Sequence, residues 1–314
     1  MSTQHFPNLD SLDIRLMAEL EADARQTYKD LAAKLGVSRP TITNRVKRLL
    51  DNGIIRIICW ADPVALGYKF TLTLSIYAQS GKIGDVADKL AACPQVLHVH
   101  LCTGRFNIVA WALFRDSDDL ANFLLKDLGA ISGILHVETM LTLQEVKMSP
   151  RLLTDDKEPR NLENLAKDLD ELDLKLITEF QTNAGQKARH LARKLSVYES
   201  TILRRIQRLV NEHVIRIITV IHPLAMGYEG IAIIGMKCNP NKVKEIADTV
   251  ASCKEVQYTG ICAGRYDVIT WVVFRKLSDL RHFITVELGN IPGLRETDTA
   301  LNYKIVKLLG RLPT

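Results

Sequence analysis

Residues 39–48 of this 314-residue chain include Arg39, Thr41, Thr43, Asn44, Arg45, Lys47 and Arg48, and a second basic run at 204–208 includes Arg204, Arg205 and Arg208. Arg45 and Arg48, with Arg205 and Arg208 as counterparts, are the positions most expected to contact nucleic acid, because guanidinium groups can meet guanine O6 and N7 in pairs or hold phosphate oxygens. Thr41, Thr43 and Asn44 are the nearer candidates for base edges, because the N-terminal part of a recognition helix enters the groove. The plainer reading is a solvated basic helix face. Charge distribution favours the first. Residues 25–56 hold eight Lys/Arg against two Asp/Glu, as do residues 185–216, so two windows carry +12 while the rest of a chain of net charge +5 carries −7. Two matched basic islands on an otherwise acidic protein look like a nucleic-acid footprint.

A second constellation is the turn Gly264, Arg265, Tyr266, Asp267 and its counterpart Gly104, Arg105, Phe106, Asn107. The Asp267 carboxylate can hold an α-ammonium group, with backbone groups and Thr299 completing a pocket. The other turn offers Asn107 with Thr139 opposite, and an amide cannot supply that charge. The alternative is a structural hairpin stabilised by glycine and Asp/Asn. His98 and His100 share one side of a strand by the period-two rule, with His136 on another strand. They are read as packing or surface residues against a metal or haem pair, since the second copy has Tyr258 and Gly260 there. None of the six cysteines forms a C-x-x-C pair, so they are expected to be small core residues. No nucleophile–base pair, phosphate-binding glycine loop or metal-ligand spacing stands out. The chain is therefore expected to be no enzyme and to need no cofactor.

The elements that must position these groups follow from local signals. Asp10 caps a first helix with Asp13 at its third position, and Leu12, Leu16 and Leu20 fall on one face. Thr27 with Asp30 opens a second helix ending at Leu35, and Gly36 supplies a tight turn. Ser38 caps a third helix with Pro40 in its first turn. Ile42, Val46 and Leu49 face inward there, leaving Arg39, Thr41, Thr43, Asn44, Arg45, Lys47 and Arg48 mostly outward, and Gly53 ends the helix. Short helix, tight turn and basic second helix are helix-turn-helix architecture. From Phe70 the period changes to two. Strands near 70–76, 96–102, 106–114 and 134–146 and helices near 83–92 and 117–128 give the order β-α-β-β-α-β, a ferredoxin-like fold whose bare sheet face needs a partner.

Residues 9–147 recur as 169–307 at a constant offset of 160 without a gap, about a third of the positions being identical. The unit is too long for a solenoid repeat. The predicted class is α+β, with two tandem modules each made of a winged-type helix-turn-helix domain and a ferredoxin-like domain. The boundaries are 1–62, 63–148, a linker at 149–168, 169–222 and 223–314. No apolar run is long enough to cross a bilayer, and the expected location is cytoplasmic. The second basic helix departs from the first: Gly36, Ser38, Arg39 and Gly53 become Ser196, Tyr198, Glu199 and His213. The second reader is expected to see a different half-site or bind more weakly.

The chain resembles the leucine-responsive/asparagine-type (Lrp/AsnC, feast/famine) transcriptional regulators. The resemblance rests on Leu9, Asp10 and Asp13, the run Leu31 to Ser38, Thr41 to Leu49, Gly53 to Ile55, Asp62 to Tyr68, Thr103 to Asn107, and Leu128, Gly129 and Gly133. It implies a sequence-specific DNA-binding regulator whose sheet domains dimerise and bind an amino acid or similar metabolite near Gly104, Asn107, Thr139, Gly264, Tyr266, Asp267 and Thr299. The partners so implied are double-stranded DNA, that effector, and another copy of the module, either within the chain as a pseudo-dimer or in a homo-oligomer. Two rivals stay open. One is a sirohaem-decarboxylase-like tetrapyrrole enzyme, with His98, His100 and Arg105 suspect. The other is a nucleoid-type architectural protein.

Overall fold

Each helix signal of the first fifty residues finds a physical partner in the computed structural model, which describes residues 6–149, 151–154, 168–308 and 310–313. The Asp10 and Asp13 carboxylates accept each other's backbone N–H at 2.9 and 3.1 Å, a reciprocal cap on α1 (Ser11–Ala22). Thr27 caps α2 (Tyr28–Leu35), and Gly36 then takes φ +72°, which closes the turn. Ser38 caps α3 (Arg39–Asp51), whose Ile42, Val46 and Leu49 are fully buried. The second copy repeats this with α6 (Glu171–Thr182), α7 (Ala188–Leu195) and α8 (Glu199–Asn211). Its turn forces Ser196 into φ +56°, where glycine is at ease and serine is not.

Both helix-turn-helix copies lie in one compact unit, residues 1–66 with 150–226. What joins them is a pair of strands that the period analysis did not resolve, β1 (Ile55–Ala61) and β6 (Ile215–Ile221). They run antiparallel with Ile58 opposite Ile218. Each strand packs over the other copy's first helix, and Ile221 completes the core of copy one beside Leu16, Leu20 and Leu49. The Glu21 carboxylate on α1, nearly fully buried, accepts the N–H groups of Leu152, Leu153 and Thr154 at 2.7–2.8 Å. That anchors the chain as it returns toward copy two. The linker expected at 149–168 falls largely on residues 155–167, outside the described residues.

Residues 67–149 and 227–313 make the other unit. Its first copy runs β2 (Phe70–Ala78), α4 (Ile83–Ala92), β3 (Val96–Cys102), β4 (Ile108–Phe114), α5 (Ser117–Asn122) continued by a π turn over Phe123–Asp127, and β5 (Ile134–Met148). The second runs β7 (Gly230–Cys238), α9 (Val243–Ser252), β8 (Val256–Ala263), β9 (Val268–Phe274), α10 (Leu277–His282) and β10 (Leu294–Lys307). Each copy forms a four-stranded sheet with its helices on one face, over cores built on Leu74, Val86, Phe114 and Phe123 and on Ile234, Ile246, Val272 and Phe283. The last strand of each copy pairs with the third-element strand of the other, β5 with β8 and β10 with β3. The eight strands thereby close in the order β10-β3-β4-β2-β5-β8-β9-β7. The bare sheet faces thus find their partner inside one chain, and closure leaves no strand edge open. Of the two pairings the sequence left open, the structure has the intrachain one.

Candidate nucleic-acid and effector sites

The basic helix α3 divides its side chains more sharply than its periodicity implies. Arg39, Thr43, Asn44 and Lys47 are exposed, while Thr41, Arg45 and Arg48 are half-buried. Arg45 Nη1 reaches Asp10 Oδ2 at 2.6 Å and Asp13 Oδ1 at 2.8 Å, and Arg48 Nη2 donates to Asp13 Oδ2. Asp13 is wholly buried, so its charge is held by two guanidinium groups and the reciprocal cap. Arg45 and Arg48, expected mostly outward, are half-buried and lock α3 to the start of α1. Copy two repeats the clamp, with Arg205 on Asp170 at 2.6 Å and Asp173 at 3.0 Å, and Arg208 on Asp173. The arginine beside Asp10 holds that carboxyl below its usual range, the Arg45 hydrogen bond being the largest cause, and Asp170 is lowered first by the Asp173 backbone N–H. In both copies one buried carboxylate thus fixes the angle at which the basic helix is presented.

On α8 the exposed set is Glu199, Ser200, Leu203, Arg204, Gln207 and Asn211. Tyr198, just before the helix, is 85% exposed. Neither Lys187 nor Tyr198 caps its helix with a side chain, so both starts lack the hydroxyl cap present in copy one. Arg189, Arg193 and Lys194 stand exposed on α7.

The turns proposed for an effector are arranged differently from the sequence expectation. Asn107 Oδ1 accepts from Ala78 N at 2.9 Å and its Nδ2 donates to Ala78 O at 2.8 Å, pinning the end of β2. Asp267 pins β7 likewise: its Oδ2 accepts from Cys238 N at 2.8 Å, and its Oδ1 lies 3.3 Å from Lys237 Nζ. The charge expected to face an α-ammonium group is thus already matched by a lysine. The partners across the turns are also exchanged between copies. Gly104 lies against the Thr299 carbonyl and Gly264 against the Thr139 carbonyl, so Thr299 completes the first turn's surroundings and not the second's. Period and spacing carry no information on which copy's strand arrives, which is why sequence reasoning missed the exchange.

Between the two sheets lies a small, partly open cavity of about 30 Å³, room for a few water molecules. It is lined by pseudo-equivalent pairs, Phe106 with Tyr266, Ser75 with Gly235 and Val109 with Ile269, together with Arg105 and Asp298. Tyr266 OH donates to Asp298 Oδ2 and receives Arg265 Nε at 3.0 Å. Burial and the Asp298 hydrogen bond push that phenol up to about 12. Glu138 Oε1 lies 3.1 Å from Arg105 and 3.4 Å from Arg265. Only Tyr266 of the expected effector residues lines this space; Arg105 and Asp298 were not anticipated in it. A Cβ on Gly235 would come within 2.4 Å of the Tyr266 ring. We expect Gly235→Ala to lower sheet-domain stability by about 1–3 kcal/mol through overpacking. An unchanged melting midpoint, with the tyrosine absorbance titration also unmoved, would show that Tyr266 does not occupy this position.

The three histidines separate. His98 and His100 are buried between the sheets, His98 packing 5.2 Å from Trp111 and 5.1 Å from Trp271, and the two indoles meeting edge-on at 5.5 Å. His100 Nδ1 meets Asn302 Nδ2 at 2.6 Å; among the described residues neither nitrogen of His98 has a hydrogen-bond partner. Burial holds His100 down at about 4 and His98 well below the ordinary histidine range. His136 is exposed, stacked on Phe106 and 3.5 Å from Glu138. Among the described residues no three His, Cys, Asp or Glu side chains come together as a metal site, and no helix is long and apolar enough to cross a membrane.

Comparison with known proteins places the two sheet copies and both helical copies. Residues 71–152 and 231–312 match the Lrp/AsnC ligand binding domain. Residues 9–56 match a winged helix-turn-helix DNA-binding domain, and residues 169–210 an AsnC-type helix-turn-helix domain. An uncharacterized HTH-type transcriptional regulator of Pyrococcus furiosus is 34% identical over 140 residues, which is 44% of this chain and 95% of that protein. The HTH-type transcriptional regulator Ptr1 of Methanocaldococcus jannaschii is 27% identical over the same shares. Each relative is thus one module long. A solved structure with both modules is the siroheme decarboxylase NirDL bound to an iron-uroporphyrin III analogue. It aligns at a TM-score of 0.63 with 16% identity, over 96% of this chain and 95% of its own, a likeness of fold alone.

Proposed function

The chain belongs to the Lrp/AsnC family, and from that premise we propose that it is a sequence-specific DNA-binding transcriptional regulator, not an enzyme, carrying two readers on one polypeptide. The observation that carries this reading is the division on α3: a buried Asp13 commits Arg45 and Arg48 to holding the helix, while Arg39, Thr43, Asn44 and Lys47 stand free of the core. Base contacts then fall to Thr43 and Asn44 and phosphate contacts to Arg39 and Lys47, with Arg204 in the place of Asn44 in copy two. Thr41, Arg45, Arg48, Arg205 and Arg208 act by positioning.

The effector, in this reading, is a small polar metabolite bound between the sheets beside Tyr266. The cavity holds only water-sized groups as it stands, so an amino acid would enter by displacing Tyr266 from Asp298. Its effect on DNA binding would then follow from differential affinity for the two arrangements.

The test is competition between the protein's own upstream DNA and random DNA across a salt series. Preferred binding of the upstream fragment, weakening steeply with salt, is expected. Equal affinity for both fragments would favour an architectural role. Absence of binding at low salt, together with tetrapyrrole uptake, would replace this reading with the decarboxylase-like one.

A further inference from the structure

The thirteen positions of α3 and α8 compare in an orderly way. All seven exposed positions of α3 differ in α8: Arg39, Pro40, Thr43, Asn44, Lys47, Leu50 and Asp51 become Glu199, Ser200, Leu203, Arg204, Gln207, Val210 and Asn211. The six inward or clamped positions keep Thr41, Ile42, Arg45, Arg48 and Leu49 as Thr201, Ile202, Arg205, Arg208 and Leu209, and exchange only Val46 for Ile206. Here the outward chemistry changes kind while the frame that aims it is kept to the same two-arginine clamp.

We infer that one chain reads a directional, non-palindromic operator whose two half-sites differ in base chemistry. This rests on the regulator reading above. In copy one, Asn44 is the exposed amide and suits adenine, whose N6 and N7 it can meet in pairs. The equivalent residue of copy two, Arg204, suits guanine O6 and N7. Leu203 is 55% exposed where copy one has Thr43, and an exposed branched apolar side chain on such a face gains by covering a thymine methyl group. Glu199 at the helix start accepts from a cytosine amino group, whereas Arg39 in its place holds phosphate. Part of the phosphate grip lost from α8 is replaced on α7, where the exposed Arg193 stands at the position of Ala33 in copy one. Because β1 and β6 hold the two readers in one unit, their order along the DNA is fixed by the chain itself.

The test is selection of bound sequences from a random duplex library by the full-length protein, for wild type and for Arg204→Asn. The wild type is expected to enrich a site with one adenine-centred and one guanine-centred half. Arg204→Asn, an exposed change that leaves the clamp intact, should shift the guanine preference by about tenfold or more while the other half stays as it was. A palindromic motif, or a single informative half that Arg204→Asn does not alter, would overturn the directional operator while leaving the regulator reading in place. Failure to enrich any sequence would overturn both.

Discussion

Asp13→Asn is expected to destabilise the helix-turn-helix unit by about 3 kcal/mol, the lower end of what removing one partner from a buried ion pair costs. The lower end applies because Asp13 is wholly buried, whereas the side chains of Arg45 and Arg48 retain 25% and 40% of their exposure. An amide keeps the shape and can still accept the Asp10 N–H, but it leaves two guanidinium groups facing a neutral partner. For a unit of this size the melting midpoint should fall by about 10 °C. Asp173→Asn should do the same through Arg205 and Arg208. Because Ile221 of copy two lies in the core of copy one, loosening either copy should lower a single shared transition. A melting midpoint within a degree or two of wild type would mean that the clamp does not hold the reader. Asp10, which is largely solvent-exposed, should matter far less.

The sheet domain should be acid-labile well above the carboxylate range. His98 and His100 fold as neutral imidazoles, with His100 held at about 4 by burial and His98 held well below the ordinary range by burial, by its neighbour His100 and by Lys307. In the unfolded chain both return to the ordinary 6.5, so between pH 6.5 and 4 the unfolded state binds protons that the folded state refuses. Stability is therefore fully present above pH 6.5 and is lost as the pH falls. Each proton contributes a slope of about 1.4 kcal/mol per pH unit, which amounts to about 3 kcal/mol for His100 alone by pH 4. His98→Phe keeps a ring between Trp111 and Trp271 and strands no hydrogen-bond partner, so it should be tolerated at pH 7 and flatten the slope. Denaturant midpoints from pH 7 to 4, read by indole fluorescence in a Trp60→Phe background, check this. Parallel slopes for wild type and His98→Phe would remove the imidazole from the account.

The elements were legible because caps and periods are local. Asp10, Thr27 and Ser38 cap where their spacing places them, and the helix at 83–92 and the strand at 96–102 fall on the residues their patterns indicate. What joins the copies was not legible. β1 and β6 are short strands that pair with each other, and the exchange of β5 and β10 between sheets is a long-range choice that no local signal records. At the candidate site, helical period alone makes Arg45 and Lys47 equally outward, yet one is clamped and the other free. A signal was present. Asp10, Asp13, Arg45 and Arg48 are identical in both copies, while every exposed neighbour on the helix has changed. Residues kept together across a duplication, amid divergence around them, mark an interaction within the fold. Asp267 is ambiguous in sequence for a related reason: a carboxylate in a turn reads the same whether it awaits a ligand or caps a strand end through Cys238 N and Lys237.

The central claim is that DNA lies against the outward face of α3 and not against its clamped arginines. The most direct measurement is the salt dependence of binding to the upstream fragment for wild type and for the double variant Arg39→Ala/Lys47→Ala. With two phosphate contacts removed, the slope of log K against log salt should flatten by about 1.8 while the melting midpoint stays unchanged. An unaltered slope and affinity in a folded double variant would contradict the claim and move the interface elsewhere.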